Sequence, residues 1–191
     1  AANRFIVAKS VAEEFTTKFA KAMGALKLAP GLDDGAQLGA SVSIKERNKI
    51  ADLVSAAVKA GGKLILGGKT PEGVGAFYPA TVVTVDKTNP ILNSEVFGPV
   101  APIVTFDGDA EAIELANATE YGLISYVYSS DLKRAIRTAE AIESGMVAIN
   151  RGVVSDPAAP FGGVKQSGLG REGGFAGIYE FLETKYIGVE I

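Results

Sequence analysis

The acidic, hydroxyl and lysine side chains are the groups that could do chemistry in this sequence, because its 191 residues contain no Cys and no His. The most distinctive acid is Glu95, which lies two residues before Phe97 in the run Asn93–Pro99. A carboxylate can accept hydrogen bonds from two vicinal hydroxyls, and a neighbouring ring offers an apolar face to a planar ligand. The alternative is a turn acid that caps backbone N–H groups, and the residue types alone favour this simpler interpretation.

The residue types that are missing exclude several classes of protein. Without Cys there is no thiolate nucleophile and no Cys-based zinc site, and without His there is no imidazole base or His-ligated metal. A net charge of −3 argues against a nucleic-acid-binding protein. No apolar run approaches the ~18 residues of a membrane span. We therefore expect no metal, no nucleic-acid partner and no membrane partner, and a cytoplasmic location, with which the absence of Cys is compatible.

The segment from Arg151 to Gly177 is rich in glycine, which indicates unusual backbone angles or close backbone approach. Within it, Gly168, Gly170 and Gly173 have the spacing G-x-G-x-x-G. A dinucleotide-binding fingerprint also requires a strand directly before the glycines and a helix directly after them. The preceding residues, PFGGVKQS, predict no strand. A self-sufficient Rossmann site is therefore the weakest of the functional hypotheses.

Other polar residues of this segment leave two interpretations each. Lys165 either extends into solvent or binds an anion, and Arg171 with Glu172 could form an ion pair that holds the loop together. Ser155 could donate a hydrogen bond to a substrate oxygen, although most loop serines satisfy backbone groups. Long glycine-rich loops inside compact α/β domains are more often functional than not.

The elements that must position these residues alternate between helical and strand-like patterns. Helices are predicted after Ser10 and after Ser43, where those serines would be caps, and over Asp109–Asn117 and Asp131–Glu143. Strands are predicted over Lys63–Leu66, Thr81–Val85, Pro102–Phe106, Leu123–Ser129 and Met146–Asn150, with a terminal strand over Thr184–Ile191. Strands separated by helices indicate βαβ units and a mainly parallel sheet. We expect a three-layer α/β/α fold with one domain over residues 1–183 and a C-terminal strand over residues 184–191.

Several segments, taken together, resemble the aldehyde dehydrogenase superfamily. They follow one another in the family's order across nearly the whole chain, from Ala2-Asn3-Arg4 through Glu95–Val100, Ala112–Asn117, Tyr121–Leu123 and Gly145–Asn150 to Pro160–Gly173. The resemblance is closest to the members that act on succinate semialdehyde. It implies the C-terminal part of a catalytic domain followed by an oligomerisation strand.

The resemblance also implies a reaction and the groups that perform it. In this family a Cys thiolate attacks the aldehyde, hydride passes to NAD or NADP, and a Glu base helps water to hydrolyse the thioester. That Cys and that Glu would lie upstream of Ala1, so no catalytic residue is expected in this chain. We expect a C-terminal fragment that is inactive alone and that belongs to an enzyme oxidising succinate semialdehyde to succinate.

Five residues take their expected roles from the resemblance. Glu95 matches the acid that holds the nicotinamide ribose hydroxyls, and Phe97 matches the aromatic residue beside that ring. Asn150 and Phe161 match positions near the substrate tunnel, and Ser155 matches a loop serine that helps to bind the distal carboxylate of a semialdehyde. The expected partners are a small aldehyde and further copies of the chain, as a dimer or tetramer joined by the C-terminal strand. The rival hypothesis is a non-catalytic interaction module that kept the fold for assembly.

Overall fold

The computed structural model describes residues 2–191, and the chain forms two compact units, of which one ends at Ala112 and the other runs from Ile113 to Ile191. Ala1, next to which the resemblance places the missing nucleophile, lies outside the described residues. The strands are β1 Phe5–Ala8, β2 Lys63–Leu66, β3 Thr81–Thr84, β4 Val100–Phe106, β5 Tyr121–Gly122, β6 Ile124–Val127, β7 Met146–Ile149 and β8 Val164–Lys165. The helices are α1 Ala12–Gly24, α2 Ile44–Lys59, α3 Asp109–Asn117 and α4 Leu132–Ala141, with 3-10 turns at Lys9–Val11, Pro90–Asn93 and Gly177–Phe181.

The first unit is built on a four-stranded sheet in the order β1-β4-β3-β2. Strand β4 pairs in parallel with β1 on one side and with β3 on the other, whereas β2 is antiparallel to β3. The centre of the sheet is apolar on both faces, because residues of β3 and β4 such as Val82, Val83, Ile103 and Val104 are all at most 2% exposed. Strands buried on both faces are typical of parallel α/β sheets.

Helix α1 covers one face of this sheet. Its Phe15 and Phe19 pack with Phe5 of β1 against a core that includes Val82 and Ile103, and the Phe5 and Phe19 ring centroids are 4.8 Å apart. The predicted cap at Ser10 is wrong, because β1 is followed at once by the 3-10 turn Lys9–Val11 and the N-cap of α1 has no side-chain hydrogen bond.

Helix α2 begins at the predicted cap. The Ser43 hydroxyl accepts a hydrogen bond from the Glu46 N–H at 3.1 Å, which satisfies one of the free donors of the first turn. The helix ends at Lys59, and the chain turns at Gly61, which has a φ of +94°. A side chain at Gly62 would lie 3.2 Å from Val83, whose neighbour Val82 packs with α1. Because strand side chains alternate, this end of α2 lies on the face opposite α1.

The second unit holds two small sheets. Strands β6 and β7 pair in parallel, and β5 pairs antiparallel with β8. Helix α4 connects β6 to β7 and begins at Asp131, whose side chain accepts a hydrogen bond from the Arg134 N–H. This β6-α4-β7 arrangement is the predicted βαβ unit, although its strands and helix are each shorter than their predicted ranges.

The fold is α/β with predominantly parallel pairing, as the sequence predicts. Residues 184–191 form no strand and are exposed, so their predicted pairing with another subunit stays a prediction. The division at Ala112 and Ile113 does not test the predicted extent of the catalytic domain, residues 1–183. Between residues 2 and 191, no helix is both long enough and apolar enough to cross a bilayer.

Candidate functional site

Glu95 lies in a short irregular segment between the 3-10 turn Pro90–Asn93 and the start of β4 at Val100. The segment alternates in exposure. Val96 is 1% exposed and anchors the segment in the core, whereas Glu95 on one side and Phe97 on the other are exposed. The segment is thus anchored in the core at Val96, while the side chains before and after it lie in solvent.

Two contacts hold this segment in place. The side-chain amide of Asn3 donates to the Ser94 carbonyl at 2.7 Å and accepts from the Val96 N–H at 2.9 Å. On the other side of Phe97, the backbone of Gly98 lies against α2, where an added Cβ would meet the Cδ1 atom of Ile50 at 2.5 Å. The segment is therefore fixed at both ends by groups that are far away in the sequence.

Phe97 has a left-handed backbone with a φ of 50°. Few residues other than glycine adopt this region, and a bulky residue held there costs on the order of 1 kcal/mol or more. The ring is nonetheless 79% exposed, so burial of Phe97 within the described residues does not offset that cost. Such strain is typical of positions where a side chain must be presented to a ligand.

The carboxylate of Glu95 makes no hydrogen bond and no ion pair with any residue between 2 and 191, so it does not cap the turn. The capping interpretation is therefore wrong within the described chain. Both oxygens are free to accept hydrogen bonds from two neighbouring hydroxyls, and the exposed ring of Phe97 follows in the same segment. These are the groups that the family resemblance expects for binding a nicotinamide nucleotide, and that role stays a prediction.

Asn150, at the end of β7, is one of the predicted residues of the second unit. Its φ is 53°, and its side-chain amide accepts from the Ser129 N–H at 2.9 Å and donates to the Ser129 carbonyl at 2.8 Å. The amide thus continues the pairing of β6 with β7 by one further step. This geometry gives Asn150 a positioning role at the end of the strand.

The other two predicted residues of this unit lie in the glycine-rich segment. Phe161 is half-buried and forms an isolated antiparallel bridge with Glu172, in which each residue donates to the carbonyl of the other at 2.7 and 2.8 Å. Ser155 is exposed in the loop that leads to Phe161. Glu95 and Phe97 therefore belong to the first unit, and Asn150, Ser155 and Phe161 belong to the second.

Arg171 holds the glycine-rich segment together, but it does so through carbonyl groups and not through the predicted ion pair with Glu172. Its guanidinium donates to the carbonyls of Gly163 and Gly170 at 2.6 and 2.7 Å. The backbone N–H of Arg171 donates to the carboxylate of Glu180 at 3.1 Å. The segment therefore has a defined shape without regular secondary structure.

Lys165 neither extends into solvent nor is left free for an anion. Its ammonium group donates to the carbonyls of Asn117 and Thr119, each at 3.1 Å, and forms an ion pair with Glu143. Cationic groups at the C-terminal end of a helix are stabilising, and Asn117 is the last residue of α3. Lys165 is therefore a structural contact of β8.

The Rossmann hypothesis for Gly168, Gly170 and Gly173 is contradicted by the local structure. The two-residue strand β8 ends at Lys165, and among the described residues no α-helix follows these glycines; the next element is the 3-10 turn Gly177–Phe181. The helix N-terminus that would bind a pyrophosphate is thus missing. Within residues 2–191 no group of three acidic, His or Cys side chains is placed to hold a metal ion.

Comparison with known proteins settles the family. The sequence pattern of the aldehyde dehydrogenase family matches residues 1–187. This chain belongs to the aldehyde dehydrogenase family. A succinate-semialdehyde dehydrogenase from Paenarthrobacter nicotinovorans is 54% identical over 190 residues, covering 99% of this chain and 42% of that protein. A glutarate-semialdehyde dehydrogenase from Pseudomonas putida is 44% identical over 190 residues, covering 100% of this chain and 39% of that protein.

Solved structures of family members share the fold. A crystal structure of succinate-semialdehyde dehydrogenase from Burkholderia pseudomallei has a TM-score of 0.91 at 42% identity, covering 94% of this chain and 38% of that one. A betaine aldehyde dehydrogenase from Staphylococcus aureus, in complex with NAD+, has a TM-score of 0.91 at 37% identity, covering 97% of this chain and 38% of that one. This aldehyde dehydrogenase chain thus spans about two fifths of the length of the curated relatives it matches.

One residue of the site had no role in the sequence-based interpretation. Asn3 is part of the run that carries the family resemblance, but nothing local to it indicates that its amide contacts Ser94 and Val96, more than 90 residues away. The only usable signal is its residue type, because an asparagine amide offers one donor group and one acceptor with the geometry of a peptide.

Proposed function

We propose that this chain is the C-terminal part of an NAD(P)-dependent aldehyde dehydrogenase that oxidises succinate semialdehyde to succinate. Membership of the family and the names of its relatives support the reaction class, since those relatives include succinate- and glutarate-semialdehyde dehydrogenases. One of them, from Escherichia coli, carries NADP(+) in its name, and one solved relative holds NAD+. The observation that carries the proposal is the unpartnered, exposed carboxylate of Glu95 beside Phe97.

In this proposal, the residues of the first unit bind and orient the cofactor. The carboxylate of Glu95 accepts hydrogen bonds from the two hydroxyls of the nicotinamide ribose, which fixes the rotation of that sugar. The ring of Phe97 provides an apolar face that excludes water from one side of the nicotinamide. When it is bound, the cofactor supplies the hydride acceptor for oxidation of the aldehyde.

The residues of the second unit contact the substrate in this proposal. Phe161 and Asn150 border the path of the aldehyde, and Ser155 donates a hydrogen bond to the distal carboxylate of the semialdehyde. Ser155 is exposed, and its loop precedes a bridge that fixes Phe161, so the serine is anchored on one side. A serine hydroxyl alone is a weak anion-binding group, and the family resemblance implies that cationic partners for that carboxylate lie upstream of Ala1.

The nucleophile and the general base also lie outside this chain in the proposal, because the sequence has no Cys to form a thiohemiacetal. We therefore expect the 191-residue chain, purified alone, to be inactive. The test is the aldehyde-dependent formation of NADH or NADPH, followed by absorbance. Reduction of either cofactor by the isolated chain with succinate semialdehyde would overturn this part of the proposal.

The role of Glu95 is tested in the full-length protein that contains this chain. We expect Glu95→Ala to weaken binding of both NADH and NADPH about 10- to 100-fold, since it removes one or two hydrogen bonds to a charged acceptor. The measurement is a fluorescence titration of the reduced cofactor. Glu72→Ala is the matched control, because Glu72 is an exposed acid of the same unit without a described contact. Equal dissociation constants for the two variants would refute the role.

A second candidate function, assembly, is supported by the C-terminal residues. Tyr186, Ile187, Val189 and Ile191 are between 74% and 119% exposed, so four large apolar side chains lie in solvent within six positions. We propose that residues 184–191 join a sheet of another subunit in a homo-dimer or homo-tetramer. Deletion of these residues should lower the mass measured by light scattering. An unchanged oligomeric mass would refute an assembly role for these residues.

A further inference from the structure

The side chain of Asn3 contacts the backbone on both sides of Glu95. Its amide contacts the carbonyl of Ser94 at 2.7 Å and the N–H of Val96 at 2.9 Å, which are the backbone groups immediately before and after Glu95. Asn3 itself is half-buried and lies two residues before β1, whose pairing with β4 fixes its position. One side chain therefore holds both sides of the residue that carries the carboxylate.

The contact is the main polar restraint on this segment within the described chain. Glu95 has no partner of its own, and Phe97 is exposed and strained, so neither side chain contributes to holding the loop. Burial of Val96 fixes which way the segment faces. It does not fix rotation of the peptide groups on either side of Glu95, and the two hydrogen bonds of Asn3 do.

We propose that Asn3 is a positioning residue for cofactor binding, which acts by holding the backbone of Glu95 in the orientation that presents its carboxylate. The inference rests on the proposed function of Glu95. Asn3 also belongs to the segment that, by family resemblance, directly follows the nucleophile. The same amide therefore links the backbone of the nucleophile segment to the backbone of the cofactor-binding acid.

The experiment is a double-mutant cycle in the full-length protein, with the dissociation constants of NADH and NADPH as the readout. We expect Asn3→Ala to weaken cofactor binding about ten-fold, because a less ordered Glu95 must be ordered on binding. In the Glu95→Ala background, the same substitution should change the constant by less than about two-fold, since coupled residues give non-additive effects. This loss of effect separates positioning of Glu95 from general destabilisation.

The matched control is Asn117→Ala. The Asn117 amide makes the same pair of backbone contacts in the second unit, donating to the Ala141 carbonyl at 2.9 Å and accepting from the Glu143 N–H at 2.8 Å. Its removal should lower stability and leave the cofactor constants within about two-fold. If Asn3→Ala does not fold, Asn3→Ser takes its place in the cycle, because the shorter serine side chain cannot keep both backbone contacts at once yet leaves a neutral hydrogen-bonding group there.

The possible results separate this inference from the function on which it rests. If Glu95→Ala binds both cofactors normally, the proposed function of Glu95 fails. If Glu95→Ala binds weakly while the Asn3 variant binds normally, or if the two effects add, only the positioning role of Asn3 is overturned. Weak binding by both single variants and no further loss in the double variant supports the inference.

Discussion

Gly145, the residue before β7, is expected to tolerate no side chain. A Cβ at this position would lie 2.0 Å from the carbonyl oxygen of Gly162 and 2.8 Å from the Cα of Gly163. Both obstacles are backbone atoms, so no rotation of a neighbouring side chain can relieve the clash. In Gly145→Ala the two backbones must separate by about 1 Å or more before the contact becomes acceptable.

The magnitude follows from what that separation breaks. The N–H of Gly145 donates to the Gly122 carbonyl at 2.9 Å, and that of Met146 donates to the Leu123 carbonyl at 3.1 Å. Overpacking costs about 1–3 kcal/mol, and the two hydrogen bonds, which are weakened and not lost, together add about 1 kcal/mol. We expect Gly145→Ala to lower the local free energy of opening by about 2–4 kcal/mol.

The assay is native-state hydrogen exchange of the peptide that contains β7. A loss of about 2 kcal/mol should raise the exchange rates of its protected amides roughly 30-fold. Gly152→Ala is the control, since its Cβ would be 3.7 Å from the nearest described atom and its φ is not positive. If the exchange rates of the β7 amides are unchanged in Gly145→Ala, the backbone at Gly145 does not lie this close to that of Gly162 and Gly163, and the reasoning is refuted.

Three further predictions concern single contacts. Ser43→Ala should lower the free energy of unfolding by about 1 kcal/mol in urea unfolding, whereas Ser10→Ala should change it by less than about 0.5 kcal/mol, because only Ser43 caps a helix. Lys165→Met should lower the free energy of unfolding by about 1 kcal/mol in the same assay, because the ammonium group donates to two carbonyls and pairs with Glu143. This difference should become smaller at high salt, since salt screens the ion pair. Tyr78→Phe should be at least as stable as the parent at pH 7, and should remove a loss of stability that the parent shows above about pH 10.

The pH dependence of Tyr78 has a definite sign. Burial raises the pKa of its hydroxyl above the usual value, while the nearby Thr81 hydroxyl lowers it to a lesser extent. The Thr81 hydroxyl itself donates to the Pro79 carbonyl and accepts from the Gly68 N–H. The Tyr78 hydroxyl is buried and has no hydrogen bond within the described residues. The unfolded chain therefore loses this proton first as the pH rises, which favours unfolding. A parent and a Phe variant with parallel pH profiles would contradict this assignment.

The fold could be predicted from the sequence where the signal is local. The strand Lys63–Leu66 and the helix Asp109–Asn117 have the predicted ends, because hydrophobic periodicity and turn residues mark both. Ser43 was identifiable as a cap, since Glu46 follows three residues later. Ser10 is likewise followed three residues later by Glu13, yet it lies in the 3-10 turn that directly continues β1 and caps no helix. A serine with an acid three residues later is thus not a sufficient signal for a cap, because the tertiary fold decides where the helix begins.

The candidate site was predictable in part. Family resemblance identified Glu95, and the structure adds that its carboxylate is free and its backbone is held. The backbone contacts of the Asn3 and Lys165 side chains were not predictable, because each joins positions at least 46 residues apart and has no periodic pattern. Such contacts depend on the tertiary fold, which brings the segments together.

Four asparagine side chains among the described residues each take the place of a peptide group. Asn3, Asn89, Asn117 and Asn150 all donate to one backbone carbonyl and accept from one backbone N–H. Aspartate is isosteric with asparagine, yet it would turn the donor edge into a second acceptor and direct a negative charge at a carbonyl oxygen. At these positions the side chain most similar in shape thus has the wrong hydrogen-bonding groups, and slow deamidation of the stored protein would damage all four junctions.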